Sequence, residues 1–143
     1  MSAEVIVARL RQFMLVLACG LCVGLIIELW LTDHLQTPLQ FVPFALCGLG
    51  LMALAWVLIR PNRNALWVLR AIMLIAALGG LLGTYEHLEH NLEFAREVNA
   101  TKANAAPLWT ALTGANPPLA PGALIVTAMI AGAATYVHPK LTK

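Results

Sequence analysis

The sequence predicts an all-α, four-transmembrane-helix integral membrane bundle with N and C termini cytoplasmic, and three observations carry that prediction. Of the 143 residues 60% are hydrophobic and only 11% charged, with a mean hydropathy of +0.79, whereas a soluble domain carries about 25% charged residues. Four charge-poor apolar stretches each have the roughly 20 residues that a helix needs to cross a hydrocarbon core about 30 Å thick. Period-two alternation is missing along the chain, and unpaired backbone groups are too costly in lipid for anything but helices or closed barrels. The same composition excludes intrinsic disorder, and three cysteines in apolar runs make no disulfide framework. A net charge of +2 without a basic run gives no footprint for nucleic acid. No repeat or internal linker divides the chain, so residues 1–143 read as a single domain.

The first span runs from Phe13 to Leu31 and is interrupted only by Glu28. Arg9 and Arg11, the apolar run Phe13 to Ala18 and then Cys19 loosely resemble a lipoprotein signal, but Leu17 is bulky where such a site prefers a small residue. The apolar run also continues past Cys19, so this helix is read as retained. The second span, Phe41 to Ile59, holds no ionisable group except Cys47; the third, Ala65 to Tyr85, carries Arg70 near its start. The fourth, Leu119 to Val137, is rich in alanine and glycine and less hydrophobic per residue. Gly20 with Gly24, Gly79 with Gly83, and Ala128 with Gly132 repeat small residues at a step of four, where helices can approach closely.

Orientation follows from lysine and arginine near the span ends, which stay preferentially on the cytoplasmic side. Arg9 and Arg11 precede span one, Arg60 and Arg63 separate spans two and three, and Lys140 and Lys143 follow span four. Arg70 can snorkel to that same side. Asp33 falls in the first loop, and Glu86, Glu89, Glu93 and Glu97 in the third. An even number of spans thus puts nearly all the acid outside; a bacterial inner membrane is the expected location, although this charge bias by itself does not separate it from an organellar one. Trp30, Phe41, Trp67, Tyr85 and Tyr136 lie near span ends as interfacial anchors.

The outer loop, 86–118, begins as a helical extension over 86–98, because the run from Tyr85 to Glu97 has no helix breaker and places Leu88, Leu92 and Ala95 at helical spacing. Beyond Val98 the pattern reads as polar turns, a short helical piece at Leu108–Leu112, and the breaker-rich stretch Gly114–Pro118. Pro117, Pro118 and Pro121 stiffen the start of span four, where a missing backbone donor is tolerated.

On the extension Glu86, His90 and Glu93 fall on one helix face, and His87 neighbours His90. Glu28, Asp33 and His34 lie at a similar depth at the outer end of span one. Glu28, His34, Glu86, His87 and His90 therefore form the candidate metal set, with ligand types that suit a divalent transition metal such as zinc. The pair His87-x-x-His90 is not the two-histidine metalloprotease motif, which needs a step of four with a glutamate beside the first. Haem ligation by His34 facing His87 or His90 would leave the macrocycle poorly enclosed at the membrane edge. Cys19 and Cys22 have the CxxC spacing, with Cys47 on the next helix near them, but no base or cation stands close enough to stabilise a thiolate. They are read as small core residues. The only serine is at position 2 and no nucleophile–base pair can be placed. The expectation is a non-catalytic transport or membrane-complex accessory component with an outward His/Glu cap that binds metal, its partners being the bilayer and a second copy or another membrane protein. The alternative is a structural subunit whose acidic cap is merely solvated.

Overall fold

The computed structural model describes residues 2–116 and 118–142, without the side chains of residues 102, 103 and 142. Helices and the turns that join them make up the described residues, which contain no strand. The helices are α1 Ala3–Leu31, α2 Phe41–Ile59, α3 Arg63–Val98, α4 Ala100–Ala105, α5 Pro107–Leu112, α6 Leu119–Thr135 and α7 Pro139–Thr142, with a 3-10 turn at Pro38–Gln40 before α2. Three of them, α1, α2 with its leading turn, and α3, are long and apolar enough to cross a membrane; α6 is a shorter apolar helix of 17 residues.

Helix α2 occupies the limits that hydropathy sets, but α1 begins well before Phe13. Its first turn is closed by the amides of Val5 and Ile6 on the Ser2 carbonyl, and residues 3–10 are exposed. Helix α3 is one uninterrupted helix of 36 residues, about 54 Å at 1.5 Å per residue. It therefore outruns a hydrocarbon core by about 20 Å. Asn62 starts it, its side-chain oxygen accepting from the Ala65 amide at 2.9 Å in the manner of an N-cap. Helix α6 ends two residues before the Val137 expected as the limit of a fourth span: Tyr136 is extended and Val137 has φ 45°, which the helix cannot continue through. Residues 100–105, expected as polar turns, form α4. Pro117 and Lys143, invoked for the stiff start of span four and for the cytoplasmic charge, lie outside the described residues.

The long helices form a ring in the order α1, α2, α3, α6, with α1 and α3 at opposite corners. Its core is Ala18 of α1, Leu54 of α2, Leu66 and Leu69 of α3 and Ala131 of α6, all essentially inaccessible. The outward faces are equally apolar: Leu74, Ile75, Leu78, Leu81 and Leu82 of α3 are each more than half exposed. An apolar exterior around an apolar core is the pattern of a helix bundle whose solvent is lipid.

Helix α6 runs antiparallel to α3. A β-carbon at Gly80 would stand 2.7 Å from the Ile125 side chain and 2.8 Å from the Pro121 carbonyl, so this glycine sets the closest approach of the two helices. Gly83 sits beside Pro121, and Gly79 admits the end of the Leu46 side chain. Gly20 and Gly24, expected on a packing face, are exposed, and a β-carbon at either would meet nothing within 4 Å. That face of α1 is turned out of the bundle.

The Arg70 side chain reaches to the last residue of α6. Its Nε donates to Thr135 Oγ1 at 3.0 Å and its Nη2 to the Thr135 carbonyl at 2.8 Å. Trp67 lies against it, 5.2 Å from guanidinium carbon to ring centre. Arg11 of α1 donates to the carbonyls of Tyr136 at 3.2 Å and Val137 at 2.8 Å. Two neighbouring helices thus supply cations to carbonyls at and just beyond the negative end of α6.

Candidate functional site at the far end of the third long helix

The cap is built on the part of α3 beyond Tyr85. Two residues beyond the end of α1, Asp33 turns the chain away with a φ of 53°; an aspartate tolerates that conformation better than most residues. The His34 amide closes back on the Leu29 carbonyl at 2.9 Å. The Asp33 carboxylate accepts from Gln36 Nε2 at 3.1 Å, and Gln40 Oε1 accepts from the amides of Gln36 and Thr37. This knot of short-range bonds sets His34 against α3, where its ring lies 6.3 Å from that of His87, tilted by 37°. Both rings are half-buried. Burial, and then the proximity of His87, hold the His34 imidazole below its ordinary pKa of 6.5.

The remaining candidates are spread out. Glu86 is half-buried on α3, His90 and Glu93 are exposed, and Glu28 is exposed on α1. The Glu28 carboxylate makes no hydrogen bond or ion pair among the described residues. No group of three or more His, Cys, Asp or Glu side chains able to hold a metal ion occurs among the described residues. Two imidazoles on one tetrahedral zinc, each nitrogen at about 2.0 to 2.1 Å, put their ring centres roughly 5 Å apart. The His34 and His87 rings, 6.3 Å apart, stand about 1 Å wider than that spacing.

One residue that hydropathy and motif spacing do not reveal organises the whole cap. Asn91, 1% exposed, lies one helical turn beyond His87. Its Nδ2 donates to the carbonyls of Ala111 and Asn116, each at 2.8 Å, and its Oδ1 accepts from the Asn116 amide at 2.8 Å. Gly114 makes room for it: a β-carbon there would come within 2.6 Å of Asn91 Cβ. The amide side chain therefore staples α5 and the following loop to α3. The sequence signal for it was slight, an asparagine at the position that Leu88, Leu92 and Ala95 leave between them, opposite a breaker-rich loop.

The cysteines behave as expected of core residues. Cys22 and Cys47 are buried and meet across the α1–α2 contact, Cys19 is half-buried, and all three are free thiols. Comparison of the chain with protein-family models, with curated proteins and with solved structures finds no match in any of the three.

Proposed function

We propose that the chain is a four-span membrane protein, with the N-terminal end of α1 and the C-terminal end of α6 on the cytoplasmic side of a bacterial inner membrane. In this reading it serves as a non-catalytic accessory subunit that packs α1 against another membrane helix. Support for the fourth span comes from α6 lying alongside α3 from Gly83, beside Pro121, to Arg70, at Thr135. Support for the orientation comes from Arg11 and Arg70 meeting at one end of the ring and the acid-rich extension projecting from the other.

The accessory role rests on Glu28. A carboxylate within an apolar span is costly facing lipid, and such groups face a partner or a wet cavity. Glu28 stands at a step of four from Gly24, and Gly24 from Gly20, all three exposed on one face of α1 with open space above the glycines. Small residues allow backbones to approach, and a carboxyl group in that seam can be satisfied by a donor from the facing helix. Native gels and cross-linking of detergent-extracted protein test this. The wild type should migrate as a larger assembly that Gly24→Leu and Glu28→Leu reduce to a smaller one; identical migration of all three would sink the proposal. Mass spectrometry of the assembly then identifies the facing helix as a second copy or another protein.

The His34–His87 contact favours a second reading, a cap that binds a divalent transition metal as part of transport or sensing. Metal analysis of purified protein beside a His34→Ala, His87→Ala variant decides it: stoichiometric metal lost in the variant supports the cap as a site, and none in either refutes it.

A further inference from the structure

On the outward side of the α3–α6 seam, Met73 and Leu74 face Ala128, Met129 and Gly132 across an apolar groove of about 210 Å3. The space beside Gly132 is open, since a β-carbon there would meet nothing within 4 Å. Arg70 closes the groove's inner end. The Arg70 guanidinium is fixed by Thr135 and Trp67, but its Nη1 has no partner among the described residues. Other cations gather at the same level. Burial first, and then the positive charges of Arg11, Lys140 and Arg70, hold the His138 imidazole below its usual pKa. None of these three cations is paired with a carboxylate among the described residues.

An oriented, uncompensated cation cluster at a membrane surface attracts phosphate, and basic pockets between helices on the cytoplasmic side hold anionic lipid headgroups. The groove adds an apolar channel leading from that cluster toward the bilayer centre, which a free anion could not use. We propose that the α3–α6 seam binds an anionic phospholipid of the inner leaflet, its phosphate on Arg70 Nη1 with Arg11 and Lys140 and one acyl chain laid along the groove. The site depends on the chain being in a membrane and is independent of the α1 partner and of metal in the cap.

Delipidated protein is returned to phosphatidylcholine nanodiscs containing phosphatidylglycerol, and the retained lipid is counted by native mass spectrometry. Phosphatidylglycerol should be retained over phosphatidylcholine by about fivefold for each engaged cation, and Lys140→Gln should lower that preference by about fivefold. Gly132→Leu should fill the groove and lower retention of both lipids. Neither substitution removes a core contact, so helix content by circular dichroism should match the wild type. Equal retention of the two lipids, or a preference that neither variant moves, overturns the proposal. Displacement of the lipid by inorganic phosphate alone also overturns it, since the acyl chain would then contribute nothing. A chain absent from the membrane fraction would instead refute the four-span reading itself.

Discussion

At the end of the bundle proposed as the inner one, carbonyls at and just beyond the end of α6 are held by guanidinium groups, Arg70 reaching from α3 and Arg11 from α1. At the outer end the carbonyls of Ala111 and Asn116 are held by a neutral amide, Asn91. Both ends solve the same problem, backbone groups left over where a helix stops. The solutions differ because the surroundings do. Arg11 and Arg70 are only half-buried, so their charge keeps access to water or headgroups, and the helix dipole favours it. Asn91 is closed off, where an unpaired charge would cost several kcal/mol, roughly, and a side chain with both donor and acceptor matches two carbonyls and one amide without net charge. The inner end is thus left with spare positive charge, and the outer end with every clamp bond consumed internally.

Asn91→Leu should break the outer clamp most severely. It leaves two carbonyls and one amide unpaired, a loss of about 3 kcal/mol or more if the cap stays closed, so α5 should detach instead. Hydrogen exchange across residues 107–116 and the emission of Trp109 read this directly; protection equal to that of the wild type would show that Asn91 is not the staple. Arg70→Met should cost less, about 1–2 kcal/mol, because Arg11 still holds the end of α6 and water can replace the lost donor. Chemical denaturation in detergent measures it, and a loss as large as that of Asn91→Leu would erase the contrast between the two ends.

Val137→Gly changes the sign. A β-branched residue at φ 45° is strained by about 1–2 kcal/mol, and glycine relieves that while Arg11 still binds the same carbonyl. The variant should be more stable by up to about 1 kcal/mol after the entropy cost of glycine in the unfolded chain; destabilisation would mean that the valine side chain packs at the inner surface.

The smallest effect is in pH. The folded His34 binds its proton less readily than the unfolded chain, so the unfolded state takes up the proton first as pH falls below 6.5. Stability of the cap should be flat above that value and decline below it, and His34→Gln should remove part of the decline. His138 at the inner end has the same sign, for reasons of burial and neighbouring positive charge. Exchange rates of the cap amides at about pH 7.5 and about pH 5 test it; a cap more protected in acid would reverse the assignment.

Much of the architecture was legible from composition and order alone. The helical class, the limits of α2, the unbroken passage of α3 through residue 98, the short helix near Leu108 and the separation of cations from acids all follow from hydropathy and helix breakers. These properties are local and additive along the chain. The candidate site was legible only in part: the sequence paired His34 with the His87 region by depth, yet it assigned Glu28 to the same cluster, and the structure leaves that carboxylate exposed on α1.

The tertiary structure alone decided rotation about each helix axis, and with it the partner of every polar side chain. In water a helix's apolar stripe announces its buried face. Here both faces are apolar, because lipid and protein core make similar demands, so the pattern carries no signal for which face turns inward. That is why Gly80 rather than Gly20 or Gly24 sets the tightest helix contact, why Thr135 is the residue that fixes Arg70, and why Asn91 anchors the cap.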